Sequence, residues 1–112
     1  MIVKHFIEEK LLLFEIVEEI DHHEVERLRD KVDFEIQRIL PKKVIFDFKG
    51  VRFMDSAGIG FILGRYKTIN SLGGTLELRN VGEKMKKILE MSGILKIINV
   101  FNYENNSLKQ IS

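Results

Sequence analysis

Residues 44–58 read VIFDFKGVRFMDSAG, and this stretch decides the fold. Its first five residues are nearly continuous in apolar β-formers, which is typical of a central strand covered on at least one face by a helix. A tight polar segment follows, and Asp55-Ser56-Ala57-Gly58 then leads into a helical pattern. A buried strand that passes through a short loop into a helix indicates a βα unit.

Upstream of this stretch, residues 1–8 and 11–17 are two short apolar runs split by a charged break, which predicts an antiparallel pair of strands. Asp21-His22-His23-Glu24 then predicts a helix start, with Asp21 as N-cap and Glu24 as its reciprocal partner. The apolar positions that follow recur at steps of three and four, which indicates one buried helix face, and Pro41 ends the helix. These positions are Val25, Leu28, Val32, Ile36 and Ile39.

Downstream, a second helix is predicted to end at Gly73-Gly74, because glycine readily takes the left-handed conformation after a helix. Its expected inward positions are Ile59, Ile62, Leu63, Tyr66 and Ile69. Residues 76–79 alternate as a strand. A third helix is predicted to carry Met85, Ile88 and Leu89 and to end at Gly93. The last strand is predicted at residues 97–101, and a short terminal helix at residues 104–111.

The order of these elements predicts stacked βαβ units. Crossovers of this kind are right-handed in nearly all proteins, so the later strands run parallel and the first strand forms an antiparallel edge. We therefore expect a small α/β fold in a single domain over residues 1–112.

Composition excludes several classes of function. The net charge is +1, and charges of both signs are spread along the chain, so nothing favours bulk attraction to nucleic acid or to an anionic membrane. The chain has no cysteine, which excludes a disulfide framework and a thiolate metal site. It lacks the apolar core of a signal peptide and an apolar run of about 20 residues, so we expect a cytosolic protein without membrane insertion and without a cofactor.

Two polar segments follow predicted strands and so fall where α/β proteins collect functional groups. Asp21 follows the second strand and Ser56 follows the third. If these strands are neighbours, about 4.8 Å apart, the two residues share one edge of the molecule. Ser56 is expected to be the N-cap of its helix, a role that most serines at such positions fill without chemistry. Gly58 and Gly60 are explained by close packing of the helix, since no nucleotide-binding glycine pattern is present.

A serine at this position is also found in two other classes of protein. A serine hydrolase would need a base, but the GxSxG pattern is absent and His5 is distant. His22 and His23 are adjacent in a helix start, so their side chains are expected to diverge, and the spacing offers no third or fourth metal ligand. A nucleotide-binding module is the other alternative, and its signal is weak.

Several segments together resemble the sporulation-type anti-sigma factor antagonists, a family with the STAS fold. The resemblance extends from about Val3 to Phe101, in the order and spacing of the family. The segments are residues 21–23, 53–56, 58–60, 62–67, 73–74, 91–93 and 96–98.

The resemblance implies a stacked βα superhelix with a small mixed sheet covered by helices. It implies that an anti-sigma factor, an ATP-dependent serine kinase, phosphorylates Ser56. The unphosphorylated protein would bind that kinase and release the sigma factor, a serine phosphatase would reset the switch, and the antagonist itself would not be an enzyme. A STAS protein of a stress-response circuit is the runner-up, although residues 64–67 and 91–93 favour the sporulation branch.

We assign Ser56 as phosphoacceptor on this basis, and we assign loop shape and kinase recognition to Asp21, Asp55, Gly58 and Gly60. Arg65 and Lys67 lie on the following turns, where they either meet acidic groups of the partner or form a solvated helix face. Phe53 and Met54 supply either interface area or core.

Two positions depart from the family pattern. Glu18 stands where glycine is common, which predicts a different loop backbone, and Ala57 stands where a second serine is frequent. Ser56 is therefore the one hydroxyl acceptor of its loop.

Overall fold

The computed structural model describes residues 1–102, in which strands and helices alternate as the sequence predicts. The elements are β1 (Ile2–Phe6), β2 (Leu11–Glu15), α1 (Val25–Ile39), β3 (Lys43–Asp47), α2 (Ser56–Ser71), β4 (Thr75–Arg79), α3 (Glu83–Ser92), a 3₁₀ turn (Ile94–Lys96) and β5 (Asn99–Phe101). The predicted terminal helix at residues 104–111 lies outside the described residues.

The strands form one sheet in the order β1-β2-β3-β4-β5. β1 is antiparallel to β2, and every later pair is parallel. The predicted mixed sheet with an antiparallel edge strand is therefore confirmed, and β3 is its central strand.

The core lies on one face of this sheet. Right-handed crossovers between strands that follow chain order place successive helices on the same face. Phe14, Phe46 and Leu78 lie on that face and are fully buried in the main cluster. Phe46 is the centre of the aromatic packing, since its ring lies 5.7 Å from Phe14 in an edge-on contact and 5.5 Å from the stacked ring of Phe61.

The predicted face of α1 is confirmed, because Leu28, Val32 and Ile36 are buried. The helix ends as predicted before Pro41, with Leu40 in the left-handed region and its N–H donating to the carbonyl of Ile36. The predicted start was too early. Residues 22–24 form a turn, and regular helix begins only at Val25.

The predicted inward face of α2 was partly wrong. Ile62 and Ile69 are buried, but the other fully packed side chains are Phe61 and Arg65. Ile59, Leu63 and Tyr66 are half-buried against the core. The helix contacts both β4 and α1. Its buried face is therefore wider than the face that apolar spacing alone indicated, and it is rotated about the helix axis.

Glycines end α2 and α3 as predicted. Gly73 has φ +83°, and the N–H of Gly74 donates to the carbonyl of Ile69 five residues earlier, which is a Schellman cap. Gly93, also at φ +83°, ends α3. The last strand is shorter than predicted, because Ile94–Lys96 forms a 3₁₀ turn and β5 begins at Asn99.

Candidate functional site

The loops after β2 and β3 lie side by side at the carboxyl ends of the strands. β2 and β3 are parallel neighbours, Ile20 and Met54 form a further parallel bridge, and the Asp55 N–H donates to the Ile20 carbonyl at 3.3 Å. The prediction that Asp21 and Ser56 share one edge of the molecule is therefore confirmed. We call residues 16–24 and 48–56 the rim.

Asp55, not Ser56, is the N-cap of α2. Its Oδ1 accepts a hydrogen bond from the Ala57 N–H at 2.8 Å, and Ser56 is the first helical residue. The predicted cap was wrong by one position. A carboxylate satisfies a free N–H of the first turn and also interacts favourably with the positive end of the helix dipole.

The Ser56 hydroxyl is consequently free. Ser56 is exposed, and its Oγ makes no hydrogen bond to any side chain or backbone group within residues 1–102. The hydroxyl sits in the first turn of a 16-residue helix, where the positive end of the helix dipole favours an added negative charge. The site therefore presents an accessible oxygen that no capping role occupies.

Gly58 sets the spacing between α2 and the rim. A Cβ at this position would lie 2.7 Å from Met54 Cβ and 3.2 Å from the Ile20 carbonyl oxygen, which is too close for any side chain. The packing explanation is therefore confirmed for Gly58. It was wrong for Gly60, where a Cβ would meet nothing within 4 Å.

Asp21 shapes the other half of the rim. Its Oδ1 accepts hydrogen bonds from the N–H groups of His23 and Glu24, both at 3.0 Å. The side chain thus caps a turn that continues into α1. The predicted reciprocal bond from Glu24 is replaced by an ion pair with Arg27, at 3.4 Å.

His22 connects the two halves of the rim. Its Nδ1 lies 3.6 Å from Asp55 Oδ2, and its ring centroid lies 4.0 Å from that of His23, so the predicted divergence of the two rings was wrong. Burial raises the pKa of the Asp55 carboxyl, but hydrogen bonds from the Ala57 N–H and from His22 outweigh it and hold the pKa below its ordinary value.

Glu19 and Phe53 form a contact that sequence reasoning missed. Glu19 Oε2 accepts a hydrogen bond from the Phe53 N–H at 2.9 Å, between residues 34 positions apart. Phe53 is held with half of its surface exposed, whereas Met54 is buried. No local pattern could have indicated the bond, because it depends on the bridge that brings the two loops together.

Glu18 ties the rim to the beginning of β1. Its carboxylate lies 3.3 Å from the Met1 amino group and accepts a hydrogen bond from the Val17 N–H. Burial raises the pKa of Glu18, yet these hydrogen bonds and the adjacent positive charge leave it below the ordinary value. A side chain at this position therefore adds contacts that a glycine could not make.

Arg65 is not on a solvated face. It is 8% exposed, and its Nε lies 2.8 Å from Asp33 Oδ1 on α1, although the two atoms are not aligned for a hydrogen bond. Its guanidinium also lies 5.5 Å from the Phe61 ring centroid. Burial lowers the pKa of Arg65, and the Asp33 charge opposes this. Lys67 is exposed, which is compatible with both roles considered for it.

Within residues 1–102 no three histidine, aspartate or glutamate side chains converge as metal ligands would. None of the helices in that range combines the length and apolar character needed to cross a bilayer.

Comparison with known proteins places this geometry in context. The sequence model of the STAS domain matches residues 4–106. An anti-sigma F factor antagonist from Paenibacillus polymyxa is 37% identical over 101 residues, covering 90% of this chain and 86% of the relative. An anti-sigma-B factor antagonist from Bacillus subtilis is 35% identical over 52 residues, covering 46% of this chain and 48% of the relative.

Solved structures share the fold. The unphosphorylated form of the anti-sigma factor antagonist SpoIIAA superposes with a TM-score of 0.78 at 24% identity, covering 96% of this chain and 90% of the other. The phosphorylated form of SpoIIAA, a Bacillus cell fate determinant, gives a TM-score of 0.71 at 24% identity, covering 98% and 97%.

Proposed function

The chain belongs to the STAS domain family and is related to the anti-sigma factor antagonists, and from this premise we propose that it acts as a phosphorylation-controlled antagonist. Its unphosphorylated form binds an anti-sigma factor that is an ATP-dependent serine kinase, and this binding releases the sigma factor. The kinase phosphorylates Ser56 and thereby switches the antagonist off. A serine phosphatase removes the phosphate and restores binding.

The observation that carries this proposal is the free hydroxyl of Ser56. A kinase needs an accessible acceptor oxygen whose modification leaves the fold intact. Ser56 meets both conditions, because it is exposed and because Asp55 supplies the cap of α2. Ala57 leaves no second hydroxyl beside it.

The charge of a phosphate explains how binding is lost. A phosphoserine carries about −1.5 to −2 charges at neutral pH. The N-terminus of α2 stabilises such a charge by about 0.3–2 kcal/mol, whereas the Asp55 carboxylate repels it. At a separation of about 6 Å and an effective dielectric constant of about 20, this repulsion is roughly 5 kcal/mol before screening. Solvent and salt screen most of it in the free protein, but a docked partner excludes them.

The rim offers a contact surface around the acceptor. Phe53 and Val17 are each about half exposed, and such apolar side chains among charged neighbours are typical anchors of protein interfaces. Asp21 and Asp55 hold the two loops in place. Arg65 is excluded from this surface because its charge meets Asp33 within the chain, and Gly60 contributes an open, side-chain-free position on the first turns of α2.

The antagonist acts by binding and not as an enzyme in this scheme. His22 lies beside Asp55, and the Ser56 hydroxyl makes no hydrogen bond to a histidine within residues 1–102, so no activated nucleophile supports a hydrolase. Because its proposed partners control a sigma factor, we assign the protein to the cytoplasm, without direct contact to nucleic acid.

The proposal is tested by incubating the protein with a sporulation-type anti-sigma kinase and ATP and then mapping the peptides by mass. We expect one phosphate on Ser56, and none on the Ser56→Ala variant, which still binds the kinase. Labelling of Ser56→Ala at an unchanged rate would contradict the assignment.

A stress-response circuit is the second candidate, favoured by the likeness to the anti-sigma-B factor antagonist. That likeness covers less than half of the chain, whereas the anti-sigma F relative matches 90% of it. Binding assays against both types of anti-sigma kinase decide between them, and we expect the stronger binding to the sporulation type.

A further inference from the structure

Within residues 1–102, no strand pairs with the outer edge of β1. β1 pairs with β2 on one side and is the first strand of the sheet. All five of its residues are exposed. An edge strand of this kind presents unpaired N–H and C=O groups at the spacing that another strand needs. The opposite edge strand, β5, is only three residues long.

An exposed aromatic side chain lies beside this edge. Phe34, in the middle of α1, is 65% exposed. It lines a groove of about 410 Å³ between β1 and α1, together with Met1, Val3, Asp30, Lys31 and Glu35. A sixth strand added to the sheet would lie about 4.8 Å outward from β1, beneath this ring. A single added strand could therefore pair with β1 and cover the Phe34 ring.

We propose that a second copy of this chain occupies this edge of the sheet and the groove beside it. β1 of each copy pairs antiparallel with β1 of the other about a twofold axis, which joins the two sheets into one and covers both Phe34 rings. The proposal does not rest on phosphorylation at Ser56, because Ser56 lies neither in β1 nor among the residues that line this groove.

The charges of the groove favour a second copy over a foreign segment. Asp30 and Lys31 both line it, and Lys31 has no ionic partner within residues 1–102. A twofold axis reverses α1 of the second copy, so that Lys31 of each copy approaches the acidic side chains of the other. A surface that carries positive and negative charges beside an apolar centre is complementary to itself. A symmetric interface requires this self-complementarity.

Lys4 and Val3 determine the register. Lys4 extends toward Glu15 on the face away from the helices, with 3.5 Å between charged atoms. An axis at Lys4 would place two like charges opposite each other, which destabilises a strand pair. An axis at His5 would pair Val3 with Ile7, which lies in the turn after β1. An axis at Val3 avoids both and sets the two Val3 side chains against each other near the Phe34 rings.

Sedimentation of the full chain at increasing concentration tests the dimer. We expect a dimer for the wild type and a dissociation constant raised at least about 10-fold for Phe34→Asp. Met91→Asp is the matched control, because Met91 is 89% exposed and lies on α3, and it leaves the dissociation constant unchanged. Circular dichroism verifies that both variants are folded. A wild type that remains monomeric throughout overturns the proposal.

A single cysteine tests the register, since the chain has none of its own. Directly opposed residues of antiparallel strands have Cα atoms about 4.5–5.5 Å apart, within the range that a disulfide spans. Under mild oxidation Val3→Cys is expected to give a covalent dimer, whereas Met91→Cys stays largely monomeric. Equal crosslinking of the two variants, or none in Val3→Cys, contradicts the pairing about Val3.

Discussion

Gly58 shows how one residue without a side chain sets the geometry of the rim. Alanine at this position would place its Cβ 2.7 Å from Met54 Cβ, and overpacking of this kind costs about 1–3 kcal/mol. The gain in helix propensity, about 1 kcal/mol, is smaller. We therefore expect Gly58→Ala to lower the free energy of unfolding, as measured by urea denaturation.

Gly60 is the matched control for this prediction. It lies on the same helix, but a Cβ there would contact nothing within 4 Å, so Gly60→Ala is expected to raise the free energy of unfolding by up to about 1 kcal/mol. Equal effects of the two substitutions would show that close packing does not determine Gly58.

Asp55 makes stability depend on pH in a defined direction. The folded state lowers its pKa, so its contribution is fully present above the pKa of the unfolded chain, about 4, and is lost as the pH falls through the lower folded value. Asp55→Asn keeps an oxygen that can accept from Ala57 but removes the charge, and should cost about 0.5–1 kcal/mol near pH 7. Urea denaturation between about pH 7 and pH 2 should show the two curves converging at low pH. A gap that stays constant with pH would contradict the role of the charge.

The sequence located the site residues better than it assigned their roles. The pattern Asp55-Ser56 is compatible with a cap at either position, and only the extended backbone at Asp55 shows which residue precedes the helix. Glu19 had no signal of its own, because its partner Phe53 is 34 positions away. The close approach of the His22 and His23 rings likewise follows from a turn where a regular helix was predicted.

At the scale of elements, α1 and α2 are joined by one ion pair. Asp33 and Arg65 are 2.8 Å apart, with Arg65 almost fully buried and Asp33 about one third exposed. Asp33→Asn leaves a buried charge without its counter-ion and is expected to cost about 1–3 kcal/mol. Arg65→Met removes the charge and retains most of the apolar packing, so it should cost less.

An exposed ion pair on α1 provides the control. Arg38 pairs with Glu35 at the surface, and Arg38→Met should change the unfolding free energy by less than about 1 kcal/mol. Thermal or urea denaturation of the three variants gives the comparison. A loss for Asp33→Asn no larger than that for Arg38→Met would mean that burial does not strengthen the contact.

The buried face of α1 was predicted more accurately than that of α2. α1 shows a narrow apolar stripe, and its buried residues are those that the spacing indicated. α2 carries apolar residues around more of its surface, so the spacing no longer identifies one face. Arg65 was misplaced for the same reason, since a charged residue is assigned to the interior only when its partner is known.

For the whole molecule, the directions of the strands followed from the sequence because βα crossovers permit few alternatives. The resulting sheet brings the ends of β2 and β3 together, and the free hydroxyl of Ser56 lies there, at the start of a helix that tolerates negative charge. From this combination we propose that phosphorylation changes the contact surface while the fold remains.

The most direct test of this switch compares the unmodified protein with the Ser56-phosphorylated protein. Calorimetry measures the affinity of each form for the cognate anti-sigma kinase, and thermal melting measures the stability of each form. We expect phosphorylation to weaken binding at least about 100-fold, or roughly 2.7 kcal/mol, while the melting temperature changes by only a few degrees. Equal affinity of the two forms, or a large melting shift with affinity unchanged, would contradict it.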